Sequence, residues 1–164
     1  MKTLYLVRHA KSDWDNASLQ DIDRPLNTRG YKDAHAMSDL LKKQAIQPDL
    51  IISSPAVRAL TTALIFSRNF KMDAGNILIL PDLYHTNAAT YREVLGKMDD
   101  KYNSIMLFAH NPVISDLAMS LHPSFAEEMP TCAIAGIRFK SKSWNKLMDE
   151  QGEAILFDYP KNTR

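Results

Sequence analysis

Thr3-Leu4-Tyr5-Leu6-Val7-Arg8-His9-Ala10-Lys11-Ser12, residues 3–12, begins as a strand and ends on a basic, polar turn. Its apolar half is continuous rather than alternating, the pattern of a strand covered on both faces. Asp49–Ser53, Asn76–Leu80 and Ser104–Ala109 read the same way. Helical periods lie between them. Arg29–Lys43 places Ala34, Met37, Leu40 and Leu41 on one side, and Ala56–Asn69 does the same with Leu60, Ala63 and Leu64. Tyr91–Met98 and Val113–Leu121 supply two more. Strands alternating with helices predict a three-layer α/β/α sandwich around a mostly parallel sheet. After Pro130 the pattern changes. Thr131–Phe139 and Ala154–Tyr159 read as a late strand pair at a sheet edge, at least one strand antiparallel, joined through the polar stretch Lys140–Gly152.

The chain has 164 residues, which fits one domain over 1–164. Its 45% apolar and 24% charged residues are an ordinary globular mixture. A formal net charge of +1 gives no bulk footprint for nucleic acid or an anionic membrane, so an anion must be held by a few placed groups. No run approaches the roughly 18–20 apolar residues that span a bilayer. The apolar run at the start, Leu4 to Val7, is shorter than the roughly 7–15 residues of a signal peptide. The lone cysteine, Cys132, excludes an internal disulfide framework and a cysteine-based zinc knuckle. A cytoplasmic protein is expected, with neither cofactor nor metal.

Ligands of open α/β sheets sit beyond the carboxyl ends of the strands. The first strand runs into Arg8-His9, the second into Ser53-Ser54-Pro55 with Arg58 one turn later, and the fourth into His110-Asn111-Pro112. Ser54 and Asn111 each precede a proline, which predicts two capped helix starts with their positive ends toward one pocket. Arginine matches phosphate with a planar fork of donors and keeps its charge at any working pH. Arg8 and Arg58 are therefore the expected clamp on a phosphoryl group. A neutral, oriented histidine attacks phosphorus, and covalent catalysis then splits the reaction into two easier steps. His9 is expected in that role, with nearby positive charge lowering its pKa, and His110 as a charged hydrogen-bond donor to the transferred group. Ser12 and Asn111 complete the expected substrate contacts.

At these residues the sequence resembles the histidine phosphatase superfamily, the phosphoglycerate-mutase-like group, and within it the SixA-type phosphohistidine phosphatases. Arg8-His9-Ala10-Lys11-Ser12, Arg24-Pro25-Leu26-Asn27-x-Arg29-Gly30, Ser53-Ser54-Pro55-Ala56-x-Arg58-Ala59, Thr62-Ala63, His110-Asn111-Pro112 and Pro130-Thr131 carry the resemblance in order and spacing. It covers the chain to about residue 139. The resemblance implies a phosphoglycerate-mutase-like fold and metal-independent hydrolysis through a phosphohistidine. The implied substrate is a phosphorylated protein carrying phosphohistidine, with a small phosphorylated metabolite as the alternative. It also implies an acidic proton donor after the third strand, where Asp82 stands, with His85 as its substitute. Ala10 departs from the glycine usual in the superfamily. Lys11 and Asp15 replace the glutamate and asparagine of the mutases, which weakens a mutase reading.

Several patterns are set aside. Cys132 and Arg138 have the Cys-x5-Arg spacing of cysteine-based phosphatases, but the apolar residues between them read as a strand. Asp21-Ile22-Asp23 mimics an aspartate-nucleophile motif with no apolar strand leading into it, and reads as turn chemistry. Arg24 and Arg29 are expected to organise the 13–27 loop and its helix through salt bridges. His35 and His122 read as surface or packing residues. A non-catalytic phosphate-binding module is the remaining alternative, disfavoured because binding alone needs no in-line histidine.

Overall fold

A computed structural model describes residues 1–147 and 149–163. One mixed sheet of six strands runs in the order β3-β2-β4-β1-β5-β6. The strands are β1 (Lys2–Arg8), β2 (Leu50–Ser53), β3 (Leu78–Ile79), β4 (Ser104–Ala109), β5 (Ile134–Phe139) and β6 (Glu153–Asp158). The first four are parallel, whereas β5 is antiparallel to both β1 and β6. The helices are α1 (Thr28–Lys43), α2 (Val57–Asn69), α3 (Ala88–Gly96), α4 (Val113–Leu121), α5 (Trp144–Leu147) and α6 (Pro160–Thr163).

The two faces of each central strand divide the core. Leu4, Leu6, Ile105 and Leu107 pack with Val94 and Leu95 of α3 and Ile114 and Leu117 of α4. Tyr5, Val7, Met106 and Phe108 face the other way, onto Met37 and Leu41 of α1 and Phe66 of α2. Both faces are apolar, which is why the strands read as continuous runs.

One expectation needs correction. The third strand is only Leu78–Ile79, both exposed, because Ala74–Asn76 forms a 3-10 turn instead. The late pair stands at one edge of the sheet as expected, with β6 outermost and β5 antiparallel to both its neighbours. The polar link before β6 also contributes to the core, through the fully buried Trp144 and Leu147 of α5.

Candidate active site

Register brings the site together. Parallel pairing sets Arg8 opposite Ala109 and Ser53 opposite Phe108, so Arg8-His9, His110 and Ser54 leave the sheet side by side. The chain continues from β1 into α1 on one face and from β4 into α4 on the other. That divergence between neighbouring strands opens a crevice at their carboxyl ends. The His9 amide donates to the Ala109 carbonyl at 3.1 Å, and the Cys132 amide reaches the carbonyls of Arg8 and His9 at 3.1 and 3.0 Å. Gly30 lets α1 press on the segment after His9: a Cβ there would lie 2.2 Å from the Lys11 carbonyl oxygen.

The tautomer of His9 follows from one contact. Its Nδ1 lies 2.7 Å from the Ala10 carbonyl oxygen, which can only accept, so Nδ1 carries the proton and Nε2 keeps a lone pair. Burial lowers the His9 pKa to about 3; the Ala10 bond opposes this, and His110, Arg58 and Arg8 reinforce it. The lowering expected from neighbouring charge is thus present but secondary to burial. The Ala10 amide donates to Thr62 Oγ1 at 3.0 Å, and Thr62 in turn donates to the Arg58 carbonyl at 2.7 Å.

His110 lies with its ring centroid 5.4 Å from that of His9. Its Nε2 is 2.7 Å from Ser54 Oγ, which already accepts from the Ala56 amide at 3.2 Å. When the Ser54 hydroxyl donates to Nε2, Nδ1–H is the free donor of a neutral ring. Burial first, then Arg58, lowers the His110 pKa to about 4. With no phosphoryl group beside it, the ring is uncharged at neutral pH.

Both arginines are tethered by their outer nitrogens. Arg8 Nη1 donates to the Met129 carbonyl at 2.9 Å. That carbonyl also accepts from Asn111 Nδ2 at 2.9 Å, while the Met129 amide donates to Ser115 Oγ at 2.9 Å. Arg58 Nη1 donates to the Asp21 carbonyl at 2.7 Å and Nη2 to Asp21 Oδ2 at 3.0 Å. Among the described residues, the buried side-chain nitrogens and oxygens without a hydrogen-bond partner are Arg8 Nε, Arg58 Nε and His110 Nδ1. Buried polar groups are rarely left unpaired, and those that are call for a functional explanation. All three belong to the cluster expected to bind phosphate.

Other expected residues are placed differently. Neither Ser54 nor Asn111 caps a helix; α2 and α4 start at Val57 and Val113 without side-chain caps, because both side chains turn into the site network. Ser12 is buried with its hydroxyl accepting from Arg24 Nη1 at 2.8 Å, so it organises the loop behind the pocket. Arg29 pairs with Asp33 on α1, 3.4 Å apart. Asp82 is exposed on the turn Pro81–Leu83, whose inward position goes to the fully buried Leu83. His85 instead lines a cleft of about 160 Å³ with Arg58, Tyr84, His110 and Val113. Its φ of 50° is an unusual conformation for a residue with a side chain. Cys132 is buried, and burial pushes its thiol pKa up, which removes the thiolate a cysteine phosphatase needs.

Sequence reasoning missed Asp21. Within the turn Asp21–Asp23 its carboxylate collects Arg58, Arg24 Nε at 3.2 Å and the Tyr84 hydroxyl at 2.6 Å. The available signal was its place three residues before Arg24, in the segment already singled out.

Residues 4–93 match the sequence model of the histidine phosphatase superfamily (branch 1), and the chain belongs to that superfamily as a phosphatase. Within it the likeness is SixA-type. A candidate phosphohistidine phosphatase SixA from Agrobacterium tumefaciens superposes with a TM-score of 0.82 at 27% identity, over 97% of this chain and 98% of that one. An uncharacterized chloroplast protein of Arabidopsis thaliana is 31% identical over 88% of this chain and 70% of its own length. Phosphoglycerate mutase 1 of Saccharomyces cerevisiae is 30% identical over 66% of this chain, which spans 42% of that enzyme. No described helix is long and apolar enough to cross a membrane.

Proposed function

We propose that the enzyme hydrolyses phosphorylated side chains on proteins, phosphohistidine foremost, through a covalent intermediate on His9 and without a metal ion. The observation that carries this is the bare Nε2 of His9 beside three unpartnered nitrogens, Arg8 Nε, Arg58 Nε and His110 Nδ1. Donors fixed before substrate arrives need no reorganisation as charge develops on the transferred group.

The His9 Nε2 lone pair forms a bond to phosphorus as the bond to the leaving imidazole breaks. The leaving nitrogen heterocycle takes the electron pair and a proton. Water then attacks phosphorus, loses a proton, and returns the N–P electrons to His9. His85 is the residue assigned to move both protons, since it lines the cleft and Asp82 does not. An incoming phosphate dianion favours protonation of His110, the state in which it stabilises that charge best.

The SixA-type likeness supports a protein substrate, since the similar solved structure is that of a candidate phosphohistidine phosphatase. Incubation with a reactive phosphate donor, a basic quench and mass spectrometry test the intermediate. Acid-labile label is expected on His9 and absent from His9→Ala; turnover with label on Cys132 would overturn the mechanism. Turnover unchanged by a chelator is expected. A large kinetic preference for sugar phosphates over a phosphohistidine protein would replace the proposed substrate.

A further inference from the structure

Arg8 and Arg58 are tethered by unlike groups. Arg8 is held by a neutral carbonyl, Arg58 by the backbone oxygen and the carboxylate of one residue, Asp21. Asp21 is fixed from three directions. Tyr84 donates to Oδ2 at 2.6 Å from the turn after β3, Arg58 reaches it from α2, and Arg24 Nε donates to Oδ1 at 3.2 Å within the 13–27 loop. Arg24 is itself pinned by Ser12 and stacked on Trp14, with its guanidinium carbon 3.5 Å from the ring centroid. Burial would raise the carboxyl's pKa, but the bonds from Tyr84 and Arg58 overcome it and hold Asp21 well below the usual carboxylate range. The side chain is 43% exposed, yet it is ionised and positioned rather than free in solvent.

We infer that Asp21 is a positioning residue for Arg58: it occupies the outer fork and leaves the Nε edge to face the phosphoryl group. The inference rests on the proposed role of Arg58 in gripping that group. With Nη1 and one proton of Nη2 committed to Asp21, Nε–H and the second proton of Nη2 point together along the remaining edge. Two consequences follow. The long side chain is ordered before substrate binds, so its entropy cost is not charged to the transition state. The carboxylate also offsets much of the Arg58 charge, which restrains binding of the ground state and of the phosphate product. Binding substrate, product and transition state equally tightly would not raise turnover.

Asp21→Asn tests this, because it removes the charge and nearly keeps the shape. Steady-state kinetics with p-nitrophenyl phosphate and inhibition by inorganic phosphate are measured beside thermal unfolding. The expected result is a kcat lower by about tenfold, with phosphate bound about fivefold more tightly, since a nearby negative charge has gone. A loop staple with no role in Arg58 would give another pattern: a lower Tm, phosphate binding unchanged or weaker, and kcat following the folded fraction. That result overturns the inference. If Asp21→Asn does not fold, Tyr84→Phe decides, since it frees one side of the carboxylate and leaves the charge. A kcat lower by about threefold, with phosphate affinity held, supports the inference, and an unchanged kcat overturns it. Arg58→Ala separates the two levels. Full activity in Arg58→Ala would sink the reading of the site itself, whereas its loss beside an unaltered Asp21→Asn would sink only the role of Asp21.

Discussion

The floor of the site and its rim are built by different physics. On the floor, Arg8, His9 and His110 sit at or next to the ends of β1 and β4, and backbone pairing sets their places within the sheet. His9 is 7% exposed and Arg58 6%. On the rim, Trp14, Asp21, Tyr84 and His85 come from loops: a side-chain hydrogen bond joins Tyr84 to Asp21, Trp14 stacks on Arg24, and His85 lines the cleft. Trp14 is 69% exposed. The floor presents the donors, whereas the rim acts at one remove: Asp21 and Tyr84 hold Arg58, and His85 lies by the cleft. Mutations should separate the two: floor changes abolish chemistry for every substrate, whereas rim changes cost less, through Arg58 at Asp21 and Tyr84 and through the leaving group at His85.

The largest effect is expected at His9. His9→Ala removes the nucleophile, and turnover of any phosphorylated substrate should fall at least about a thousandfold, as for other covalent catalysts. Steady-state rates with a phosphohistidine protein and with p-nitrophenyl phosphate check this. Retained activity on either would mean that the floor does not work through a covalent histidine.

The floor should also reveal itself in stability against pH. Burial holds the His9 pKa at about 3 and, with Arg58, that of His110 at about 4. In the unfolded chain both titrate at the ordinary histidine value, about 6.5. Above that value neither state binds a proton, and the histidines add no pH dependence. As pH falls below it, the unfolded chain takes up protons that the folded site refuses, so stability is lost progressively toward the folded values. Each histidine should cost about 2 kcal/mol by pH 5. Urea unfolding of wild type and His9→Gln at pH 7 and pH 5 should show the smaller loss in the variant. Equal losses would place the histidines in contact with solvent and remove the contrast between floor and rim.

The same contrast explains what the sequence discloses. Val7-Arg8-His9 and Ala109-His110 are legible because a strand's apolar run predicts where it ends, and the residues at its end inherit that position. Arg58 is legible because it lies one turn into a helix whose start is signalled by Ser54-Pro55. Ser54 and Asn111 show the limit. Local preference marks both as caps, but His110 and Met129 offer partners that no local pattern reveals, and tertiary bonding wins. Asp21 is harder still. Its partners Arg58 and Tyr84 lie 37 and 63 residues away, so turn chemistry was all that its neighbours could report. The short β3 has a local cause instead: Asn76–Leu80 has strand composition, but Asp73 accepts from the Gly75 amide and winds the entry into a turn.

The smallest effects are expected on the rim, where His85 and Asp82 form a controlled pair three residues apart. Both can donate a proton, and sequence position favoured Asp82. The turn Pro81–Leu83 spends its inward-facing position on Leu83, which leaves Asp82 in solvent and carries the chain on to His85 at the cleft. A proton donor matters only when the leaving group departs poorly without one. His85→Asn should therefore slow alkyl phosphates by about tenfold while changing p-nitrophenyl phosphate, whose leaving group departs as a stable anion, by less than about twofold. Asp82→Asn should change neither by more than about twofold. Rates for a series of aryl and alkyl phosphates spanning leaving-group basicity would show the difference as a steeper slope in His85→Asn alone. If the steeper slope belongs to Asp82→Asn instead, the exposed turn must close over the cleft during turnover. The rim would then act as a moving part of the catalytic site rather than a fixed filter above it.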